Sequence, residues 1–150
     1  MNFITAPYNR AVELISAPWL ESVMLLFVRI SLAGIFWRSG RTKVVEGSWL
    51  TISDTTQYLF QEDYKNVPLP PELAAHLSTY AEHLLPILLV MGLFTRLSAL
   101  GLIGMTMVIQ IFVFPEAWWS VHMIWVALAL TLIVRGGGQF SLDAILNRKK

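Results

Sequence analysis

Four long apolar stretches constrain what this chain can fold into. They run from about 20 to 37, 73 to 91, 97 to 114 and 118 to 134. Helices of about 17–19 residues are long enough to cross the ~30 Å hydrocarbon core of a bilayer. We therefore predict an all-α membrane protein, a single domain over 1–150 built as a bundle of four transmembrane helices. Buried helices of a soluble protein are the alternative, but a chain of this length cannot hide so much apolar surface from water.

The composition agrees with the membrane interpretation. Of the residues, 55% are hydrophobic and only 14% are charged, whereas soluble domains carry about 25% charged residues. The chain has no cysteine, which excludes disulfides, thiol redox chemistry, and zinc or iron–sulfur sites held by cysteine. A net charge of +1 without a basic stripe argues against nucleic acid as a partner.

The connections between the apolar stretches are uneven in length. The links at 92–96 and 115–117 are short, so the stretches on either side of each are expected to form antiparallel hairpins. The first connection is about 35 residues long and mixes polar residues with apolar ones, a pattern typical of an amphipathic helix on the membrane surface. Short interfacial helices are predicted at 8–15 and 141–146, with Ser141 as the N-cap of the second. The apolar residues of the first connection are Trp49, Leu50, Ile52, Tyr58, Leu59 and Phe60.

Basic residues predict the orientation. With four spans, both termini lie on one side of the membrane, and cytoplasmic segments carry an excess of Lys and Arg. On the side of the termini lie Arg10, Arg96, Arg135, Arg148, Lys149 and Lys150, and on the other side lie Arg38, Arg41, Lys43 and Lys65. Cytoplasmic termini are therefore expected.

Two charged residues fall in the middle of predicted spans. Arg29 lies in the first span and Glu82 in the second, and an unpaired charge at that depth costs about 2.5–3.5 kcal/mol on insertion scales. Counted from the predicted helix ends, the two residues lie at similar depth, so we predict that they form an ion pair inside the bundle. The pair would either fix the register of the helices or mark a polar ligand site.

The second span carries the most polar face. His76, Thr79, Tyr80 and His83 are spaced i, i+3, i+4 and i+7, so they share one side of a helix. Gln110 in the third span is expected to join this network. The candidate ligand-binding residues are Arg29, His76, Thr79, Glu82, His83, Gln110 and His122.

Two histidines raise the question of a metal or a haem. His76 and His122 are predicted at matching depth, and two histidines from different helices can hold a haem. No third ligand or spacing motif supports a metal. We therefore expect two interfacial histidines and neither a metal nor a haem.

A basic cluster follows the first span. Arg38, Arg41 and Lys43 lie where the chain leaves the membrane. Long basic side chains at such a position commonly reach the lipid headgroups. An anion site under the long connection is the alternative.

Three segments resemble one protein family. They are 29–36 with the following Gly40 and Lys43, then 82–99, and then His122 with 136–143. The Gly-Leu-Phe-Thr-Arg turn at 92–96 and the glycine run leading to Ser-Leu-Asp at 141–143 are the most characteristic parts. In order and spacing the chain resembles the DoxX family of small four-helix bacterial membrane proteins. Polar residues that recur in that family correspond here to Arg29, Lys43, Glu82, Arg96 and Asp143.

The resemblance implies a location and a function. It implies a multi-pass protein of the bacterial inner membrane, an accessory subunit of a membrane-associated oxidoreductase system that binds a quinone or a similar small apolar ligand. Glu82 or His83 would pass protons, and Arg29 would hold a carbonyl oxygen or the carboxylate of Glu82. A membrane or periplasmic protein would then be the partner, alongside the lipid bilayer.

A non-enzymatic assembly or scaffold protein is the alternative. The buried charge pair would then be structural and the outer loop would be the docking surface. The sequence assigns no catalytic residue, and it leaves open whether the chain is an enzyme or forms a homo-oligomer.

Overall fold

The computed structural model describes residues 2–148, and the described chain is helical almost throughout. The helices are α1 (Asn2–Ile15), α2 (Pro18–Thr42), α3 (Asp54–Glu62), α4 (Pro71–Met91), α5 (Thr95–Phe112), α6 (Met123–Arg135) and α7 (Leu142–Asn147). A 3₁₀ turn (Pro115–Ala117) and a π-helical turn (Trp118–His122) lead into α6. By length and composition, four helical stretches could cross a membrane: α2, α4, α5 and Pro115–Arg135. The prediction of an all-α protein with four spans is confirmed.

The four spans pack as a closed ring. Helix α2 packs against α4 and α6, and α5 packs against the same two helices. Apolar side chains such as Leu32, Leu89 and Leu132 fill the centre, where Phe36 meets Trp125 edge to face at 5.3 Å between ring centroids. Large apolar side chains on the outer surface, Phe27 and Val134 among them, are exposed. Contact with lipid accounts for an apolar exterior around an apolar core.

Two glycines fix the register of α2 against α4. A side chain at Gly40 would lie 3.0 Å from the His83 ring and 3.1 Å from Glu82 Cβ, and one at Gly92 would overlap the Arg29 guanidinium. Arg29 and Gly40 are eleven positions apart in α2, roughly 16 Å along the helix. Gly40 therefore faces the middle of α4, and Arg29 faces its C-terminal end. The predicted Arg29–Glu82 ion pair is wrong, because Glu82 pairs with Lys43 and the Arg29 guanidinium lies beside Gly92, just after the end of α4.

The long connection folds over the end of α2 and α4. Val44 pairs with Ile52 in an antiparallel bridge, and the hydroxyl of Ser53 caps α3 by accepting from the Thr56 amide at 3.2 Å. Helix α3 then packs against α4 and buries Phe60 between them. The amphipathic helix is thus present but short: Trp49, Leu50 and Ile52 precede it.

The C-terminal segment closes the other end of the bundle. Ser141 caps α7 as predicted, accepting from the Ala144 amide at 3.2 Å. Backbone bonds join the segment to distant helices: the Asp143 amide donates to the Gly92 carbonyl at 2.9 Å, and the Gln139 amide donates to the Ser22 hydroxyl at 3.1 Å. The predicted N-terminal interfacial helix lies within α1.

Candidate functional site

A buried ion pair joins the long connection to the middle of α4. Lys43 Nζ lies 2.6 Å from Glu82 Oε2, with side chains that are 13% and 2% exposed. The ammonium group also donates to the Ser39 hydroxyl at 2.9 Å. The carbonyl of Lys43 in turn accepts from the Ser53 amide and the Thr56 hydroxyl, each at 3.0 Å. The folded connection therefore fixes the backbone of Lys43 so that its side chain reaches Glu82.

An apolar cavity ends at this pair. It has a volume of about 350 Å³ and lies between the long connection, α4 and α5. Most of its wall is apolar, with Leu77, Met105, Val108 and Ile109 among the lining residues, and Lys43 and Glu82 form part of the wall. Ligand pockets typically have volumes of about 300–1,000 Å³ and combine an apolar wall with a few placed polar groups. We call it the Lys43–Glu82 cavity.

Tyr64 is another polar residue that lines this cavity. Its ring stacks on Phe60 with centroids 4.2 Å apart. Burial raises the pKa of the Tyr64 hydroxyl, and the nearby charges of Glu82 and Asp63 raise it further. The hydroxyl therefore stays protonated at neutral pH and remains a hydrogen-bond donor.

Arg29, the other charge within a span, lies at the opposite end of the bundle. It is fully buried, and its Nη2 donates to the Phe140 carbonyl at 2.6 Å. Within the described chain its Nε and Nη1 have no hydrogen-bond partner. Arg29 therefore holds the C-terminal segment and is not part of the Lys43–Glu82 cavity.

The polar face predicted on the second span is largely satisfied within α4. Thr79 donates to the Ala75 carbonyl at 2.7 Å, and the Nδ1 atoms of His76 and His83 lie 2.8 and 2.7 Å from the carbonyls of Glu72 and Thr79. His83 also packs edge to face on Trp37, with centroids 5.1 Å apart. Tyr80 is exposed. None of these four residues lines the Lys43–Glu82 cavity, whose wall includes their neighbour Glu82.

Gln110 and His122 form a separate pair between α5 and the start of the fourth span. His122 Nδ1 lies 2.7 Å from Gln110 Oε1, and Gln110 Nε2 donates to the Pro115 carbonyl at 2.7 Å. Gln110 thus stabilises the turn between α5 and the fourth span, and it does not join the polar side chains of α4. Among the described residues no group of three or more histidine, aspartate or glutamate side chains could hold a metal.

The basic residues that follow the first span do not share one site. Lys43 pairs with Glu82, Arg41 donates to the Ser48 carbonyl at 2.8 Å, and Arg38 is exposed. The predicted outer basic cluster therefore separates into three residues with different surroundings.

The comparison with known families agrees with this fold. The family model described as DoxX matches residues 24–115, more than half of the chain. The chain belongs to the DoxX family. An uncharacterized protein of Haemophilus influenzae is 30% identical over 144 residues, which cover 85% of this chain and 86% of that protein. No solved structure matches the chain.

In this DoxX protein the five polar residues that the resemblance singled out form two groups, on opposite sides of the bundle centre. Lys43 and Glu82 are the buried pair described above. Asp143 accepts from the backbone amides of Phe94 at 2.8 Å and Thr95 at 2.9 Å, and Arg96 donates to the Val134 carbonyl at 3.3 Å. With Arg29, these residues hold the turn between α4 and α5 against the C-terminal segment. The Asp143 carboxylate thus lies at the N-terminus of a helix other than its own, where negative charge is stabilising.

Two features of the cavity were missed in the sequence. Tyr64 and Phe60 belong to the long connection, and no sequence pattern within that connection indicates that it packs on α4. The small residues Ala74, Ser78 and Ala81 line the cavity from α4, and their spacing of three to four residues could have indicated the face on which the connection packs.

Proposed function

We propose that this DoxX protein is an accessory subunit of a membrane-associated oxidoreductase system that binds a quinone, or a similar small apolar molecule with a polar head, in the Lys43–Glu82 cavity. The observation that carries the proposal is an apolar cavity of about 350 Å³ that meets a buried ion pair. The redox centre would belong to a partner, since the chain has no cysteine to hold an iron–sulfur cluster.

The polar groups suit a quinone head. The Lys43 ammonium and the Tyr64 hydroxyl are hydrogen-bond donors for carbonyl oxygens, and the Glu82 carboxylate is an acceptor for the hydroxyl of a quinol. An isoprenoid tail would lie against the apolar side chains of α4 and α5. Glu82 keeps the proton-accepting role predicted for it, whereas Lys43 replaces Arg29 as the donor.

Filling the cavity should weaken quinone binding. Gly104 lines the cavity, and a Cβ placed there meets no atom within 4 Å. In Gly104→Leu the added side chain occupies the space of the ligand, and we expect the affinity for a short-chain ubiquinone to fall about 5- to 150-fold, the equivalent of the roughly 1–3 kcal/mol that overpacking costs. Isothermal titration calorimetry of the detergent-solubilised protein measures this change.

Gly34→Leu is the matched control. Gly34 is also a helical glycine with no atom within 4 Å of an added Cβ, but it lines a different groove, of about 360 Å³, between α2 and α4. Binding lost in Gly34→Leu and kept in Gly104→Leu would contradict the proposed cavity. No binding to the unaltered protein would favour the assembly or scaffold role, for which the exposed Trp49 and Leu50 of the long connection offer a docking surface.

We also propose the inner membrane as the location, with both termini in the cytoplasm. The natural chain has no cysteine, so single cysteines report sidedness without background. We expect Lys65→Cys to react with a membrane-impermeant maleimide on cells whose outer membrane is permeabilised, and Asn147→Cys to react only after the inner membrane is broken. The reverse pattern would overturn the orientation.

A further inference from the structure

The long connection covers one side of the Lys43–Glu82 cavity. Phe60 and Val67 of that connection line the cavity, and both are buried. Tyr64, which lies between them in the sequence, stacks on the Phe60 ring. Packed side chains of the connection therefore separate this side of the cavity from the membrane surface.

The exposed residues of the cavity wall lie mainly on two spans. Leu77 of α4 and both Gly104 and Val108 of α5 line the cavity and are exposed. Leu69, which is also exposed, lies two positions before the start of α4, at the edge of the span. Residues that line a cavity and are also exposed mark its rim. The cavity is therefore open between α4 and α5.

Two glycines of α5 show where the gap between these helices widens. A Cβ at Gly101 would lie 3.0 Å from Leu85 Cδ1 of α4, so the two helices pack closely at that level. Three positions further along α5, a Cβ at Gly104 would meet no atom of the described chain within 4 Å. The cavity wall on α4 includes the small residues Ser78 and Ala81. Side chains thus leave the gap unfilled beside Gly104.

The opening lies at the depth of the lipid acyl chains. Gly104 is near the middle of α5 (Thr95–Phe112), and Leu77 lies nearly two helical turns after the start of α4 at Pro71. Both helices are long and apolar enough to cross the membrane, whose hydrocarbon core is about 30 Å thick. A ligand that passes between Gly104 and Leu77 therefore comes from the bilayer and not from water.

We propose that the Lys43–Glu82 cavity opens sideways into the bilayer between α4 and α5, and that its ligand is an isoprenoid lipid with a neutral head whose tail leaves through this opening. The volume of about 350 Å³ is near the lower end of the range for ligand pockets, about 300–1,000 Å³. The head and the first part of a tail fit inside, and a longer tail continues among the acyl chains. The buried carboxylate of Glu82 favours a neutral head over a phosphate, because like charges repel strongly where water is scarce. The inference rests on the proposed function, since it names the class of the quinone and its route of entry.

Photolabelling locates the tail. The probe is a ubiquinone with two isoprene units and a diazirine at the end of the tail, bound to the protein in lipid nanodiscs. We expect the label that unmodified ubiquinone displaces to lie on α4 or α5 near Leu77 or Val108. Displaceable label on the long connection instead, or no displaceable label although ubiquinone binds in calorimetry, would overturn the opening and leave quinone binding intact.

A bulky residue at the rim tests the passage of the tail. Val108→Trp places a large side chain at an exposed position, so the variant should fold. We expect the affinity for the two-isoprene ubiquinone, relative to the same quinone without a tail, to fall about tenfold, an effect within the range that overpacking produces. Both affinities are measured in the same micelles, so partition of the ligand into detergent cancels between variants.

Val23→Trp is the matched control. Val23 is an exposed valine of α2, away from the cavity, and the same substitution there should leave the ratio of the two affinities unchanged. Equal ratios in Val108→Trp and Val23→Trp would overturn the sideways opening while quinone binding stands. If neither quinone binds the unaltered protein, the proposed function is wrong and the assignment of the ligand falls with it.

Discussion

Lys43→Met should lower the free energy of unfolding by about 3–5 kcal/mol, because it leaves the carboxylate of Glu82 buried without its cation. Glu82 is only 2% exposed and lies within a span, so its carboxylate is poorly hydrated once the ammonium group is removed. Reversible unfolding in mixed detergent micelles measures the loss.

The double variant Lys43→Met, Glu82→Met separates charge from packing. Replacing both members of a buried pair by apolar residues of similar size is often neutral or stabilising, so we expect most of the lost stability to return. The coupling in the resulting double-mutant cycle should then be of the same order as the loss in Lys43→Met. Equal losses in the single and double variants would show that the pair stabilises nothing through its charges.

The Arg135–Glu21 pair provides the comparison at the other end of the bundle. Its side chains are 57% and 33% exposed, and exposed pairs contribute about 0–1 kcal/mol. Arg135→Met should therefore lower the free energy of unfolding much less than Lys43→Met does. If the double variant at Lys43 and Glu82 is stable yet binds no quinone, the pair is retained for the ligand and not for stability.

The spans could be predicted because their signal is local. Hydrophobic length alone gave four helices with ends within a few residues of those observed, except at the end of α2. There the apolar stretch ends at residue 37, but the helix continues to Thr42, and its last turns contain Gly40, which packs closely on His83, and Arg41, which donates to the Ser48 carbonyl.

The partners of the buried charges could not be predicted, because they depend on segments far apart in the chain. Glu82 meets Lys43 only after the connection between α2 and α4 has folded back, and Arg29 meets Phe140 across 111 positions. Counting depth from helix ends assumes that neighbouring spans begin and end at the same level in the membrane. The close approaches at Gly40 and Gly92 show that α2 and α4 are displaced along their axes instead. The resemblance singled out Lys43 and Asp143, but it did not say which residues they contact.

Gly92→Ala tests the contact between Arg29 and the C-terminal segment. Gly92 has φ +67°, and a Cβ there would overlap the Arg29 guanidinium and lie 2.8 Å from Ser141 Cα. The left-handed backbone alone costs about 1–2 kcal/mol for alanine. Since neither the buried guanidinium nor the backbone of Ser141 can move freely, we expect a total loss of more than about 3 kcal/mol, in the range of severe single substitutions.

Gly47→Ala isolates the steric part of this loss. Gly47 has φ +79°, close to that of Gly92, but a Cβ there meets no atom within 4 Å. The free energy of unfolding of Gly47→Ala should therefore fall by only about 1–2 kcal/mol, the cost of the left-handed backbone alone. The difference between the two variants, measured by unfolding in the same micelles, reports how tightly the C-terminal segment is packed on Arg29. Equal losses would mean that Gly92 is required only for its backbone conformation, and that Arg29 and Ser141 move aside at little cost.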